Sequence, residues 1–235
     1  MFKEEFDKYN WDDVLSSIYS KNEADVLRAL GKTRCDIEDF KALISPAAAP
    51  FLEQMARKSN ALTQKRFGKT IQLYAPLYLS NECQNICNYC GFSLDNKIRR
   101  KTLSAVEIMQ EAEYLKSEGF EHVLLVTGEA NKTVGVEYLK NAIRLLRPHF
   151  ANISIEVQPL EENEYSQLVA ERLYAVLVYQ ETYHKENYRL YHLKGKKSNF
   201  DYRLDTPDRL GAAGIHKIGL GVLIGLEDWR ADNFF

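Results

Sequence analysis

From Ile71 onward the sequence alternates short, continuously apolar runs with amphipathic helical stretches. The runs are IQLYAPLYLS (71–80), HVLLVTGE (122–129), ISIEVQP (153–159), AVLVYQET (175–182) and KIGLGVLIGLE (217–227). A strand that is apolar on both faces must be covered on both faces. Antiparallel hairpins leave one face wet, whereas βαβ crossovers lay helices over the sheet. The intervening helices are legible as well. SAVEIMQEAEYLKSEG offers Ser104 and Glu107 as a capping box and Gly119 as a stop. Val136 to Leu146 and Glu161 to Glu171 follow the same period, and a broken helical region runs to Gly214. The expected class is therefore α/β, with a parallel (β/α) barrel as its architecture.

Residues 1–70 read as an N-terminal helical extension, and 71–235 as the barrel core. Asp12 to Tyr19, Glu23 to Ala29 and Phe51 to Arg66 place apolar residues three and four apart. Asn22 is placed to cap the second of these and Gly31 to end it, while Pro46 and Pro50 punctuate the connection to the third. At the other end a new helix starts in WRADNFF before enough strands have appeared to close a barrel. The expectation is a barrel truncated after about the fifth strand, with an open edge, folding poorly and inactive alone.

Composition narrows the function. With 31 Lys and Arg against 33 Asp and Glu, the net charge is −2. That balance argues against a dedicated nucleic-acid binder. No run of about 18 apolar residues suggests a membrane span. MFKEEFDKYN lacks the apolar stretch of a signal peptide, so a cytoplasmic location is expected.

Of the four cysteines, Cys35 stands apart, whereas Cys83, Cys87 and Cys90 form a C-x3-C-x2-C loop directly after the first strand. Thiolates at such spacing select iron–sulfur clusters or zinc. A closed zinc site needs four ligands, so that reading requires a distant fourth. A ferredoxin-like electron carrier would bind each cube with four cysteines. A [4Fe-4S] cube on three cysteines leaves one iron open to a substrate or cofactor. Other features are less specific. Gly219-x-Gly221-x-x-x-Gly225 misses the dinucleotide-binding spacing. His184 reads as a solvated helix-start residue. KIRRK (97–101) and KGKK (194–197) read as solvated faces, with holding the cluster loop or a partner as the alternative.

The loop, with aromatic Tyr89 just before Cys90, resembles the signature of the radical S-adenosylmethionine (SAM) superfamily. The resemblance implies a [4Fe-4S] cluster on Cys83, Cys87 and Cys90, whose open iron binds S-adenosyl-L-methionine, and cleavage of that cofactor to a 5′-deoxyadenosyl radical. It further implies cofactor contacts from Tyr89, from Thr127, Gly128 and Glu129 at the end of the second strand, from Glu156 in the third, and from Gly221. Tyr179, Gln180 and Glu181, at the end of the fourth strand, are the expected catalytic residues. Longer blocks, among them WDDV, YLSNECQNICNYCGFS, LLVTGE, VYQETYH, HLKGKK and GIHKIGLGVLIGLEDWR, are similar to the 2-iminoacetate synthase family of thiamine biosynthesis. That family cleaves the Cα–Cβ bond of L-tyrosine to 2-iminoacetate and p-cresol. The resemblance implies thiazole synthase as a protein partner and a flavodoxin or ferredoxin as electron donor. Two alternatives stay open: the related tyrosine lyase of hydrogenase cofactor maturation, and an inactive truncated fragment.

Overall fold

The computed structural model describes residues 1–235 and divides into two compact units, Met1–Lys3 with Gln72–Leu223 and Glu4–Ile71 with Ile224–Phe235.

In the first unit the strands are β1 (Ala75–Ser80), β2 (Ile86–Cys87), β3 (His122–Thr127), β4 (Asn152–Glu156), β5 (Ala175–Leu177), β6 (His192–Lys194) and β7 (Lys217–Gly219). Five of them form one sheet in the order β1-β3-β4-β5-β7, with every neighbouring pair parallel. These are the five apolar runs of the sequence, laid side by side in chain order. The sheet is a partial barrel with free edges at β1 and β7. Leu77, Leu125, Ile155 and Val176 are buried on it, and they join one core with Ile108, Leu139, Ile143 and Leu168 from the covering helices. Burial on that scale supplies the main favourable term of folding, at about 25 cal/mol per Å² of apolar surface.

The helices of the chain, in order, are α1 (Phe2–Phe6), α2 (Trp11–Tyr19), α3 (Glu23–Gly31), α4 (Ile37–Ile44), α5 (Leu52–Phe67), α6 (Ala105–Ser117), α7 (Val136–Leu146), α8 (Glu162–Ala170), α9 (Tyr188–Tyr191), α10 (Phe200–Leu204), α11 (Thr206–Ala212) and α12 (Trp229–Phe234). The capping box of α6 forms as expected, and Gly119 ends the element with φ +88°.

Several strands are shorter than the apolar runs suggest. Residues 71–74 precede β1 with Ile71 and Leu73 exposed, and β5 stops at Leu177. Past that point the chain leaves the sheet: Glu181 adopts φ +74° and touches the later segment only through a single bridge to Val222. The broken helical region holds a strand, β6, which pairs antiparallel with β2. Two strands of two and three residues are too short to carry a period that sequence inspection detects.

In the second unit Asn10 caps α2, its Oδ1 accepting from the backbone N–H of Asp12 at 2.9 Å and of Asp13 at 3.2 Å. Asn22 and Asp25 form a capping box on α3. Asp36 and Asp39 do the same on α4, a helix the sequence reading left out. Residues Pro46–Phe51 form a 3-10 turn. The helix expected in WRADNFF is α12, which returns to α2: the rings of Trp11 and Phe235 stack at 5.7 Å and Tyr19 Oη lies 2.7 Å from Asp228 Oδ2. No helix is long and apolar enough to cross a membrane.

Candidate active site

The carboxyl ends of β1, β3, β4 and β5 surround a cavity of about 250 Å³. In parallel α/β sheets this end gathers the loops and helix starts that carry chemistry. Cys83, Cys87, Cys90 and Tyr89 line the cavity from the loop after β1. Thr127, Gly128 and Glu129 line it from the end of β3, Glu156 from β4, and Tyr179 and Glu181 from the segment after β5. Two expected residues stand elsewhere. Gln180 is buried and donates from Nε2 to the Phe200 carbonyl at 3.3 Å. Gly221 is not on the wall either. A Cβ at that position would come within 2.6 Å of the Tyr179 ring, so its lack of a side chain makes room for Tyr179.

The cysteine loop has no regular structure beyond β2, so its shape depends on bonds to other segments. Gln84 N–H donates to the Glu129 carbonyl at 2.9 Å and Gly128 N–H to the Ser80 carbonyl at 2.9 Å. These bonds draw the loop and the end of β3 together so closely that a Cβ on Gly128 would lie 2.3 Å from the Glu82 carbonyl oxygen. Arg100 donates to the carbonyls of Asn81 at 2.6 Å, Phe92 at 2.9 Å and Ser93 at 2.6 Å. It is a clamp on the loop rather than part of a solvated basic run. From the far side the 188–197 segment grips the loop. Asn88 N–H donates to the Tyr191 carbonyl at 3.2 Å, and Lys197 N–H to Asn85 Oδ1 at 3.0 Å.

Two ion pairs organise the charge. Arg203 Nη1 lies 2.7 Å from Glu129 Oε1, and Asn85 Nδ2 donates to the other oxygen at 2.8 Å. Burial alone would raise the pKa of Glu129. The charges of Arg203 and Lys197 and these two hydrogen bonds outweigh it and hold the carboxyl below its ordinary range. Lys197 Nζ pairs with Glu181 Oε1 at 2.6 Å. Glu156 has no such cation in contact, and burial followed by the negative charge of Glu181 raises its pKa. Burial also pushes the Cys87 thiol up to about 12. Thr127 Oγ1 is buried without a hydrogen-bond partner.

No group of three or more His, Cys, Asp or Glu side chains gathers tightly enough to hold one metal ion. Cys83, Cys87 and Cys90 bring three soft sulfur donors to one cavity.

The sequence profile of the radical SAM superfamily matches residues 77–235, more than half of the chain. This chain belongs to the radical SAM superfamily. The matched span contains every residue on the cavity wall. Within the superfamily the chain is 50% identical over 234 residues to 2-iminoacetate synthase of Escherichia coli, covering 99% of this chain and 62% of that protein. It is 32% identical over 92 residues to 3-methylornithine synthase of Methanosarcina acetivorans, 39% of this chain and 26% of that protein. Among solved structures, the FeFe-hydrogenase maturase HydG of Carboxydothermus hydrogenoformans superposes with a TM-score of 0.91 at 28% identity. That superposition covers all of this radical SAM chain and 56% of the maturase. The chain thus spans under two thirds of the length of these relatives.

Asn85, Arg203 and His192 join the site without having been singled out from sequence, and Lys197 takes the alternative open to its basic run, holding the cysteine loop. Arg203 lies in a stretch with no motif of its own, and Lys197 sits in a basic run that ordinarily faces solvent. Asn85 lies within the cysteine loop itself, and only the fold brings the other three to it.

Proposed function

We propose that this chain carries the cofactor site of a radical SAM lyase that cleaves the Cα–Cβ bond of L-tyrosine, giving 2-iminoacetate and p-cresol for thiamine biosynthesis. The observation that carries the proposal is the convergence of the three cysteines of the C-x3-C-x2-C loop with Thr127, Glu129 and Glu156 on one cavity wall. The 50% identity to 2-iminoacetate synthase favours this reaction over that of the hydrogenase maturase, at 28%.

The residues fit the cofactors the family uses. Three thiols supply the soft donor set of a [4Fe-4S] cluster. Gly128 on the cavity wall and the unpartnered Thr127 Oγ1 offer a polar stretch to an amino-acid group of S-adenosyl-L-methionine. A reduced [4Fe-4S] cluster held there would supply the one electron needed to split the sulfonium of S-adenosyl-L-methionine into methionine and a 5′-deoxyadenosyl radical.

The protein's part is to hold and to shield. Cys83, Cys87 and Cys90 would hold the cluster, and metal ligation would offset the preference of the buried Cys87 for its neutral form. Arg100 and Asn85 hold the loop that presents them. Glu129, Thr127 and Glu156 accept hydrogen bonds from the cofactor's ammonium and hydroxyl groups, with Arg203 keeping Glu129 ionised. Tyr179 and Glu181 complete the cavity wall on the β5 side, where they would meet the substrate. A flavodoxin or ferredoxin delivers the electron and thiazole synthase receives the iminoacetate.

The test is anaerobic reconstitution followed by EPR of the reduced cluster with and without S-adenosyl-L-methionine, and an assay for p-cresol from tyrosine. A signal altered by the cofactor, with p-cresol formed by the protein at the relatives' full length, is the expected result. Failure to assemble any cluster on the three cysteines overturns the reading.

A further inference from the structure

His192 is fully buried and stands opposite Cys87 in the β2–β6 pairing. Its Nδ1 lies 2.8 Å from the carbonyl oxygen of Tyr188, and its Nε2 lies 2.8 Å from the hydroxyl of Tyr89. A carbonyl oxygen only accepts, so Nδ1 carries the proton. In a neutral imidazole this leaves a lone pair on Nε2, and the Tyr89 hydroxyl is the donor to it.

The imidazole has little freedom to turn. Tyr188 stacks on it with ring centroids 4.0 Å apart and planes 30° apart, and Tyr188 is itself met edge-on by Phe200 at 5.0 Å. On its other side Tyr89 meets the imidazole edge-on at 5.6 Å. Tyr89, placed between Cys87 and Cys90, is on the cavity wall, with Lys197 Nζ 5.8 Å from its ring centre.

We infer that His192 is a positioning residue: its Nε2 holds the Tyr89 hydroxyl, so that the Tyr89 ring is a preformed wall of the cofactor cavity. This rests on the cofactor reading above. A tyrosine without that anchor keeps its rotamer freedom until the cofactor binds, and ordering it then weakens binding. For one side chain the effect is about fivefold in affinity. One hydrogen bond thus connects β6 to the cluster loop at the position where the loop faces the cofactor.

The experiment compares the reconstituted wild type with His192→Phe, His192→Gln, Tyr89→Phe and the double variant His192→Phe/Tyr89→Phe. S-adenosyl-L-methionine is titrated against the EPR signal of the reduced cluster, and bound iron is measured in each sample. The expected result is about fivefold weaker cofactor binding in His192→Phe and in Tyr89→Phe at unchanged iron content. The double variant should bind no more weakly than either single one, and His192→Gln, whose amide restores an acceptor, should recover most of the affinity. Unchanged affinity in His192→Phe, or additive losses in the double variant, overturns the proposal.

Should His192→Phe fail to fold, 15N NMR of the histidines in the unsubstituted, metal-free protein decides. An Nδ1–H tautomer for His192 with Nε2 accepting supports the proposal and an Nε2–H tautomer overturns it. A wild type that loads its cluster but ignores the cofactor defeats the cofactor reading instead, and the NMR result still judges the His192–Tyr89 bond.

Discussion

Arg203, in α10, is bonded to Glu129, at the end of β3, with Nη1 2.7 Å from Oε1 in a pair whose side chains are 5% and 12% exposed. Arg203 also donates from Nε to the Tyr179 carbonyl at 2.6 Å, so one side chain ties three segments of the cavity wall together. Removing one partner leaves a buried, uncompensated charge. Arg203→Met should destabilise the protein by about 3–5 kcal/mol, whereas the double variant Arg203→Met/Glu129→Gln should lose considerably less. Urea unfolding of the reduced apoprotein measures both, and equal losses in the two variants would contradict the pairing.

Gly128→Ala places a Cβ 2.3 Å from the Glu82 carbonyl oxygen, which is backbone and has no rotamer in which to retreat. The cysteine loop must move away from the end of β3. Iron and acid-labile sulfide per chain should fall severalfold in Gly128→Ala while far-UV circular dichroism stays native.

The four cysteines divide into three on the cavity wall and Cys35, which is exposed. Substituting Ser for any one of Cys83, Cys87 or Cys90 should abolish the EPR signal of the reduced cluster. Cys35→Ser should load iron like the wild type. Loss of the cluster in Cys35→Ser would bring that cysteine into the ligand set.

Glu107 closes the capping box of α6, its Oε2 accepting from the backbone N–H and the hydroxyl of Ser104, each at 2.8 Å, while Lys101 Nζ lies 2.5 Å from Oε1. The Lys101 hydrogen bond first, and then the Ser104 bonds, hold this carboxyl down from 4.5 to about 2. A depressed native pKa means that Glu107 stabilises fully above about pH 4.5, and that this contribution fades as pH falls toward 2. The gap in urea midpoint between wild type and Glu107→Gln should therefore be largest at neutral pH and narrow below pH 4.5. A gap that does not change with pH would refute the assignment.

Much of this was legible in residues that act locally. The apolar runs predicted a parallel sheet because a strand covered on both faces has no polar side to show. The capping pairs Ser104 with Glu107 and Asn22 with Asp25 act across three residues and form as their spacing predicts. Cysteine spacing picked out a loop whose three thiols the fold places on one cavity. The same logic failed where strands end. AVLVYQET stays apolar through Val178, yet β5 stops at Leu177, and beyond it Glu181 takes a positive φ and pairs with Lys197, 16 residues on.

The sequence by itself determined the α/β class, the order of the five parallel strands and the place of the cysteine loop, because each depends on period, capping or short-range spacing. Tertiary structure alone decided that Arg203 pairs with Glu129 and Lys197 with Glu181, that Arg100 clamps the loop and that His192 meets Tyr89. Those partners lie up to 103 residues apart. Their value comes from burial, since removal from water is what makes a paired charge or a single hydrogen bond decisive.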